Sequence, residues 1–448
     1  MPTNATRGSQ GRWLLPLLIT AAVAYYFFFL YQHALNVPLG DDLYDVLQVL
    51  SGVINAPDAS SGFDILYAQH NDHRTFASRL VYGATYLLTG EINFRTLTFI
   101  ASLALPLLLT LLYLATPKSL PRLFILLPAT LLLLQLRAYG ITLWSMAAFA
   151  YFYVFLYGFA SLHFLHEINP RRFALACLLA IMATFTLASG QVVWVVGLVS
   201  LLHQVLLRRS ASWLYILGWV AVAGGVLVAW RAGLETPNTL WAMLQQLFLT
   251  PGHHVLYTLT LLGNAASEQS VGPPALVGAL MLVAVLICSI HSRRSQDPRL
   301  ELYCWFIVLS VAAMVLGRAP FSSVDYALSS RYSFPSVLML ATIWVTLAAR
   351  LKLASWQPLL VALLLATLYC INSYKVYSVA LQPYVEKRVQ NFNQGKYWAW
   401  TRPMKETNGI VLEAVSLGIY HPPQRPLPKP VIFVSESKSG AGKTMEQK

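Results

Sequence analysis

Eleven apolar runs, each almost free of charge, constrain this chain more than any motif in it. They fall at 13–35, 92–116, 123–136, 144–165, 173–188, 191–207, 212–230, 274–290, 301–317, 334–350 and 357–374. A helix needs about 20 such residues to cross a bilayer, fewer where protein shields it. Composition agrees: 57% of the 448 residues are hydrophobic and 11% are charged, against roughly 25% charged in a soluble domain. So few charges cannot coat the two or three soluble domains that this length would require. The expected fold is an all-α polytopic membrane protein of about eleven transmembrane helices, with interfacial helices on its outer face. The first run follows Arg7 and Arg12 but has no small-residue cleavage site behind it, so it reads as a retained anchor.

The connectors orient these runs. With the N-terminus inside, the inner connectors carry Lys118, Arg122, Arg171, Arg172, Arg208, Arg209, Arg293, Arg294, Arg299, Arg350 and Lys352. Short basic inner loops are what the positive-inside rule requires. Of 18 acidic residues, only Glu167, Asp297 and Glu301 fall inside. The net charge of +13 is then topological, and nucleic acid is not expected as a partner. The outer segments are 36–91, 231–273 and 318–333, followed by a tail. The chain thus divides into a membrane domain, 1–374, and a small outer tail, 375–448, whose Lys- and Ser-rich last third reads as loosely ordered. Residues 237–263 are amphipathic and broken at Pro251-Gly252, the pattern of interfacial helices.

Three polar clusters stand out in the outer segments. Asp41 and Asp42 follow Gly40 where the first run ends, with Asp45 close behind and a helical apolar face at Leu43, Val46, Leu47 and Leu50. One Asp suffices to cap a helix. The second carboxylate, at a membrane surface, suits general-base work on a hydroxyl. Asp41, directly after the glycine, is the expected cap and Asp42 the expected base. Gln69-His70-Asn71-Asp72-His73-Arg74 is the second cluster. His70, His73 and Asp72 are possible metal ligands, but no second pair at helical spacing completes a site. Arg74, Arg79 and His73 are expected to face an anion, with Asp72 and His70 toward an acceptor. The third cluster is Arg318 with Arg331 and Tyr332, and arginine is the preferred partner of phosphate because of its planar fork. A snorkelling arginine or an aromatic-belt tyrosine would also sit there. Ser189-Gly190-Gln191 forms a tight turn from which Gln191 could line a site, and His253 and His254 begin a helix.

Several classes are disfavoured. Cys177, Cys288, Cys304 and Cys370 lie in or beside apolar runs with no zinc or disulfide spacing. The stretch Gly440-Ala441-Gly442-Lys443-Thr444 lacks the first glycine of a phosphate loop, since Ser437 stands there. Apart from His203, no ionisable side chain lies well inside a run, which disfavours an ion-coupled transporter. A lipid scramblase and a non-enzymatic assembly protein remain as alternatives to an enzyme.

The two acidic residues after the first run, the interfacial pattern before Glu91 and the layout of 1–374 resemble the GT-C superfamily of membrane glycosyltransferases. A narrower similarity in size and layout is to the arabinosyltransferases that modify type IV pilins in pseudomonads. The resemblance implies a bacterial inner-membrane protein with a cytoplasmic N-terminus and a periplasmic C-terminus. Its donor would be a polyprenyl-phosphate-linked sugar, and its acceptor a hydroxyl of a protein such as a pilin or of an envelope glycan or lipid. By the same resemblance Asp42 or Asp41 is the base, and Arg331, Arg74, His73, Arg318 and Tyr332 surround the donor phosphate. No cofactor is implied with certainty, and a divalent metal is left open.

Overall fold

Each of the eleven apolar runs forms a helix in the computed structural model, which describes residues 13–208, 211–235, 240–292, 297–353, 355–397 and 403–430. In chain order these are α1 (Leu14–His33), α2 (Phe94–Ala115, with a bend at Leu103), α3 (Arg122–Leu133), α4 (Ser145–Leu165), α5 (Pro170–Thr184) and α6 (Val192–Leu202). There follow α7 (Trp213–Arg231), α8 (Gly272–Ser292), α9 (Arg299–Arg318), α10 (Phe334–Arg350) and α11 (Trp356–Asn393). Nine of these segments are long and apolar enough to cross a membrane, with α6 counted together with the turns that flank it. The protein is an all-α integral membrane protein. Among the described residues the only β-type pairings are two isolated bridges, His70 with His73 and Ile92 with Tyr420. Arg7, Arg12, Arg209, Arg293, Arg294 and residues 431–448, which hold the Gly440–Thr444 stretch and most of the tail's last third, lie outside the described residues.

The two shorter helices differ in how their ends are satisfied. At about 1.5 Å per residue, the 12 residues of α3 reach only ~18 Å. The chain continues past α3 as irregular backbone, which is tolerated at membrane depth only where protein supplies the hydrogen bonds. Here Ser373 of α11 does so: its hydroxyl accepts from Leu136 N (3.0 Å) and donates to Gln135 Oε1 (2.5 Å). α5 spans 15 residues and packs along α4. Its first turn is capped by Asn169, which accepts from Arg172 N at 3.0 Å.

α4 and α10 form the centre of the bundle. α4 packs against α2, α5, α6 and α9, and α10 against α3, α8 and α9. Lipid is as apolar as these side chains, so close packing rather than water exclusion holds such helices together. Phe159 stacks on Tyr303 with ring centroids 4.2 Å apart, and Phe152 meets Phe334 at 4.6 Å. α1, α7 and α11 lie outside and expose Leu17, Phe28, Leu214, Val228, Leu364 and Leu368. An apolar surface of that extent belongs against lipid.

The boundary drawn at residue 374 falls within α11, which runs unbroken for 38 residues. At about 1.5 Å per residue it is ~57 Å long, nearly twice the ~30 Å hydrocarbon layer. Its far end therefore stands beyond the membrane and returns to the first long loop. Short helices gather at that polar end: Val49–Ile54, Ala59–Tyr67, Phe76–Thr89, Leu240–Leu249, Pro251–Leu262 and Met404–Ser416. The expected break at Pro251-Gly252 is met, because a proline without an N–H starts a helix readily. Leu240–Leu249 exposes Trp241, Phe248 and Leu249. At the other end, the Arg350 fork grips Glu301 and Arg299 grips Asp297 at 2.6 Å.

Candidate active site

Gly40, at φ +56°, turns the chain out of the membrane segment. That left-handed conformation is cheap only without a Cβ. Asp42–Gln48 is then wound as a π-helix, a form that recurs at functional sites.

The two aspartates part company at once. Asp42 is fully buried. Its Oδ1 accepts from Ser145 Oγ (2.7 Å) and Met146 N (2.9 Å), and its Oδ2 from Leu39 N (3.0 Å). Asp42 thus caps the first turn of α4, a helix a hundred residues downstream. Burial raises its carboxyl to about 6, while Ser145, the nearby Arg388 charge and the two backbone N–H groups pull the other way. The Asp41 side chain makes no capping bond to the helix that follows it, to which only its carbonyl is bonded, through Asp45 N at 2.8 Å. That side chain is 36% exposed. Capping therefore falls to Asp42 and not, as expected, to Asp41. Asp42 has both oxygens occupied and no route to solvent, whereas Asp41 is the accessible carboxylate.

Asp41 and Asp45, four residues apart and so on one helical face, flank His70. The His70 Nε2 lies 3.8 Å from Asp41 Oδ2, and its Nδ1 lies 3.8 Å from Asp45 Oδ1. Burial works against a charged His70, but the two carboxylates outweigh it and hold the imidazole above its usual value. Asp45 is itself anchored by Arg79 (2.8 and 2.9 Å) and Thr75 Oγ1 (2.7 Å). Arg79 also caps the end of Ala59–Tyr67 through the Leu66 and Ala68 carbonyls. Expected to face an anion, it is occupied within the fold.

His70 through His73 make a tight turn in which each histidine N–H meets the other's carbonyl (2.9 and 3.0 Å). Asn71 takes the left-handed position. This turn sends the two rings to different neighbours. His73 is held neutral, near 4, by burial first and then by the Arg318 charge, with Asp72 opposing. Its Nδ1 is buried without a partner. Asp72 is exposed and within charge reach of both His73 and Arg318.

Arg318 is exposed, and while its carbonyl accepts from Ser322 Oγ at 2.9 Å, its guanidinium has no hydrogen bond or ion pair among the described residues. Arg331 lies against both Tyr326 and Tyr332, its guanidinium carbon 5.0 and 4.9 Å from ring centres that are themselves 5.6 Å apart. Its Nε is buried and unpartnered. Tyr151 lies within charge reach of both arginines and packs edge-on to Tyr332. The platform beneath is firm, since Asn264 Nδ2 donates to the carbonyls of Ala327 and Ser329. A Cβ on Gly140 would lie 2.5 Å from Ser330 Oγ and 3.2 Å from Arg331 N. Glycine at 140 therefore lets the Arg331 turn seat against Tyr139–Thr142. His73 links the clusters, because it feels the charges of both Arg318 and His70.

Other expectations are corrected. Arg74 is buried. It donates to the carbonyls of Tyr67 (2.6 Å), Trp230 (3.0 Å) and Ala232 and stacks on Tyr67 at 4.2 Å. With every guanidinium nitrogen committed, it clamps the first loop to the end of α7 and is not free for a phosphate. Gln191 ends the turn before α6 and makes no hydrogen bond to either cluster. His253 meets the Ala319 carbonyl at 3.1 Å, and His254 meets that of Thr250 at 2.9 Å. Among the described residues no group of three His, Cys, Asp or Glu side chains is arranged to hold a metal ion.

One residue carried no sequence signal. Arg388, on the protruding end of α11, is buried beside Asp42 and donates to the carbonyls of Leu143 and Val37. A comparison with protein-family models, with curated proteins and with solved structures finds no match.

Proposed function

We propose that the protein is a membrane glycosyltransferase. It would move a sugar from a polyprenyl-phosphate donor to an acceptor hydroxyl of a protein or envelope glycan at the outer face of a bacterial inner membrane. One observation carries the reading: the Arg318 and Arg331 side chains have no acceptor among the described residues, and they share a face with a partly exposed carboxylate, Asp41, that is held by a histidine. Two unpaired guanidinium groups walled by tyrosines suit a phosphate, and an exposed carboxylate suits a hydroxyl proton.

The reaction is a direct displacement. Asp41 takes the proton as the acceptor oxygen bonds to the anomeric carbon. The bond from that carbon to the phosphate oxygen breaks, and the lipid phosphate leaves with the electron pair. Arg331 and Arg318 stabilise the charge gathering on the phosphate, the type of term that dominates transfer catalysis. His70 orients Asp41, while neutral His73 offers an unpartnered nitrogen between proton acceptor and anion. Polyprenyl donors partition into the bilayer, which supports a site at the membrane surface.

Asp→Asn at 41 and at 42 tests the assignment in a deletion strain, with undecorated acceptor and accumulated lipid-linked sugar as readouts. Asp41→Asn should abolish transfer at normal protein level, because the amide keeps the shape and loses the basicity. Full transfer by a correctly inserted Asp41→Asn protein would remove Asp41 as the base and bring the scramblase or assembly reading forward.

A further inference from the structure

At the end of the bundle opposite to the polar site, a cavity of about 310 Å³ opens between α1, α2 and α3. The start of α1, the end of α2 and the start of α3 meet there. Its wall includes Ile19 and Val23, Leu109 and Tyr113, and Leu123 and Leu126. Thr20 and Thr110 are also on the wall, and Thr110 spends its hydroxyl on the Pro106 carbonyl at 2.9 Å. Protein interiors hold few voids larger than a water molecule, and ordered water needs two to four polar partners. This one is a groove open along one side and lined mostly by apolar side chains, and such a groove at membrane depth suits a lipid chain rather than water.

The mouth adds a charge. Arg122 stacks over Tyr113 with its guanidinium carbon 5.2 Å from the ring centre. Its Nε is buried and has no partner. Lys118 is exposed in the same short connector. Trp13, exposed one turn before Pro16, marks the level of the membrane–water boundary, where indole rings collect. Apolar grooves with basic residues at their mouths between membrane helices are what anionic headgroups recognise.

We infer that this cavity binds an anionic phospholipid from the leaflet facing the 116–122 connector, with one acyl chain between α1, α2 and α3 and its phosphate on Arg122. The inference stands apart from the proposed transfer, since it uses none of the same residues. It gives Arg122 the acceptor it lacks and fills the void that the helices leave.

The full-length protein in detergent, titrated with phosphatidylglycerol or phosphatidylcholine and read by native mass spectrometry, provides the test. One phosphatidylglycerol should bind about fivefold more tightly than phosphatidylcholine, the preference expected from one basic residue at a headgroup. Arg122→Ala should erase the preference while lipid still binds, and Arg122→Lys should keep it. Val23→Phe, which fills the cavity, should lower retention of both lipids. Equal affinity of the unaltered protein for the two lipids overturns the inference. So does an unchanged preference in Arg122→Ala, or unchanged retention in monodisperse Val23→Phe.

Discussion

Arg331→Ala and Arg74→Ala are the pair of changes that best separates an anion site from a structural clamp. The sequence treats the two arginines alike, as expected partners of one donor phosphate. Among the described residues the Arg331 side chain holds no hydrogen bond, and it already lies against both Tyr326 and Tyr332. A phosphate would therefore add bonds there without breaking any. A hydrogen bond to a charged group contributes about 1.5–3 kcal/mol, so Arg331→Ala should weaken lipid-phosphate binding by roughly ten- to over a hundredfold. Arg331→Lys should recover part of the loss, since a point charge replaces the fork only partly. Folding should be little affected.

Arg74 behaves in the opposite way. Its three carbonyl partners, Tyr67, Trp230 and Ala232, tie the first loop to α7. Loss of charged bonds at about 1.5–3 kcal/mol each, not fully additive, gives a destabilisation of roughly 2–5 kcal/mol. Binding by the fraction that stays folded should be nearly normal. Thermal unfolding of the purified protein can be followed through Cys177, Cys288, Cys304 and Cys370, which are free and mostly buried. Binding of a polyprenyl phosphate is titrated in parallel. If Arg74→Ala loses binding at an unchanged unfolding temperature while Arg331→Ala binds normally, the reasoning fails.

The remaining predictions concern protons and space. Asp42 has a folded value of about 6 against an ordinary 3.8, so the folded state keeps its proton longer. Stability should then fall by roughly 3 kcal/mol as pH rises from about 4 to 6, and Asp42→Asn should flatten that slope in thermal unfolding against pH. His70 is shifted upward by its two carboxylates. Its contribution is complete below the ordinary 6.5 and lost as pH rises through the folded value. The stability difference between the unaltered protein and His70→Gln should therefore shrink on the alkaline side, and a constant difference would argue against the Asp41–His70–Asp45 arrangement. Gly140→Ala should displace the Arg331 turn, because its Cβ would meet Ser330 Oγ at 2.5 Å. Lipid-phosphate binding should drop with only a modest change in unfolding temperature, a result that normal binding would contradict.

By itself the sequence determined that the chain is helical, lies in a membrane and builds its helices α1 to α11 from the apolar runs, nine of them in segments long and apolar enough to cross it. It also located the interfacial break at Pro251-Gly252 and the clusters around Asp41, His70 and Arg331. Each of these is a local property, set by apolar content over some twenty consecutive residues, by a proline, or by polar residues crowded into a short stretch. Which of those side chains is free for chemistry was decided only by the tertiary structure. Asp42 is occupied by Ser145 and Met146, and Arg74 by the end of α7. Arg388 reaches Asp42 from the far end of α11. Hydrogen-bond partners separated by more than a hundred residues leave no periodicity or spacing in the sequence, so Asp41, beside Gly40, reads as the cap until α4 claims Asp42.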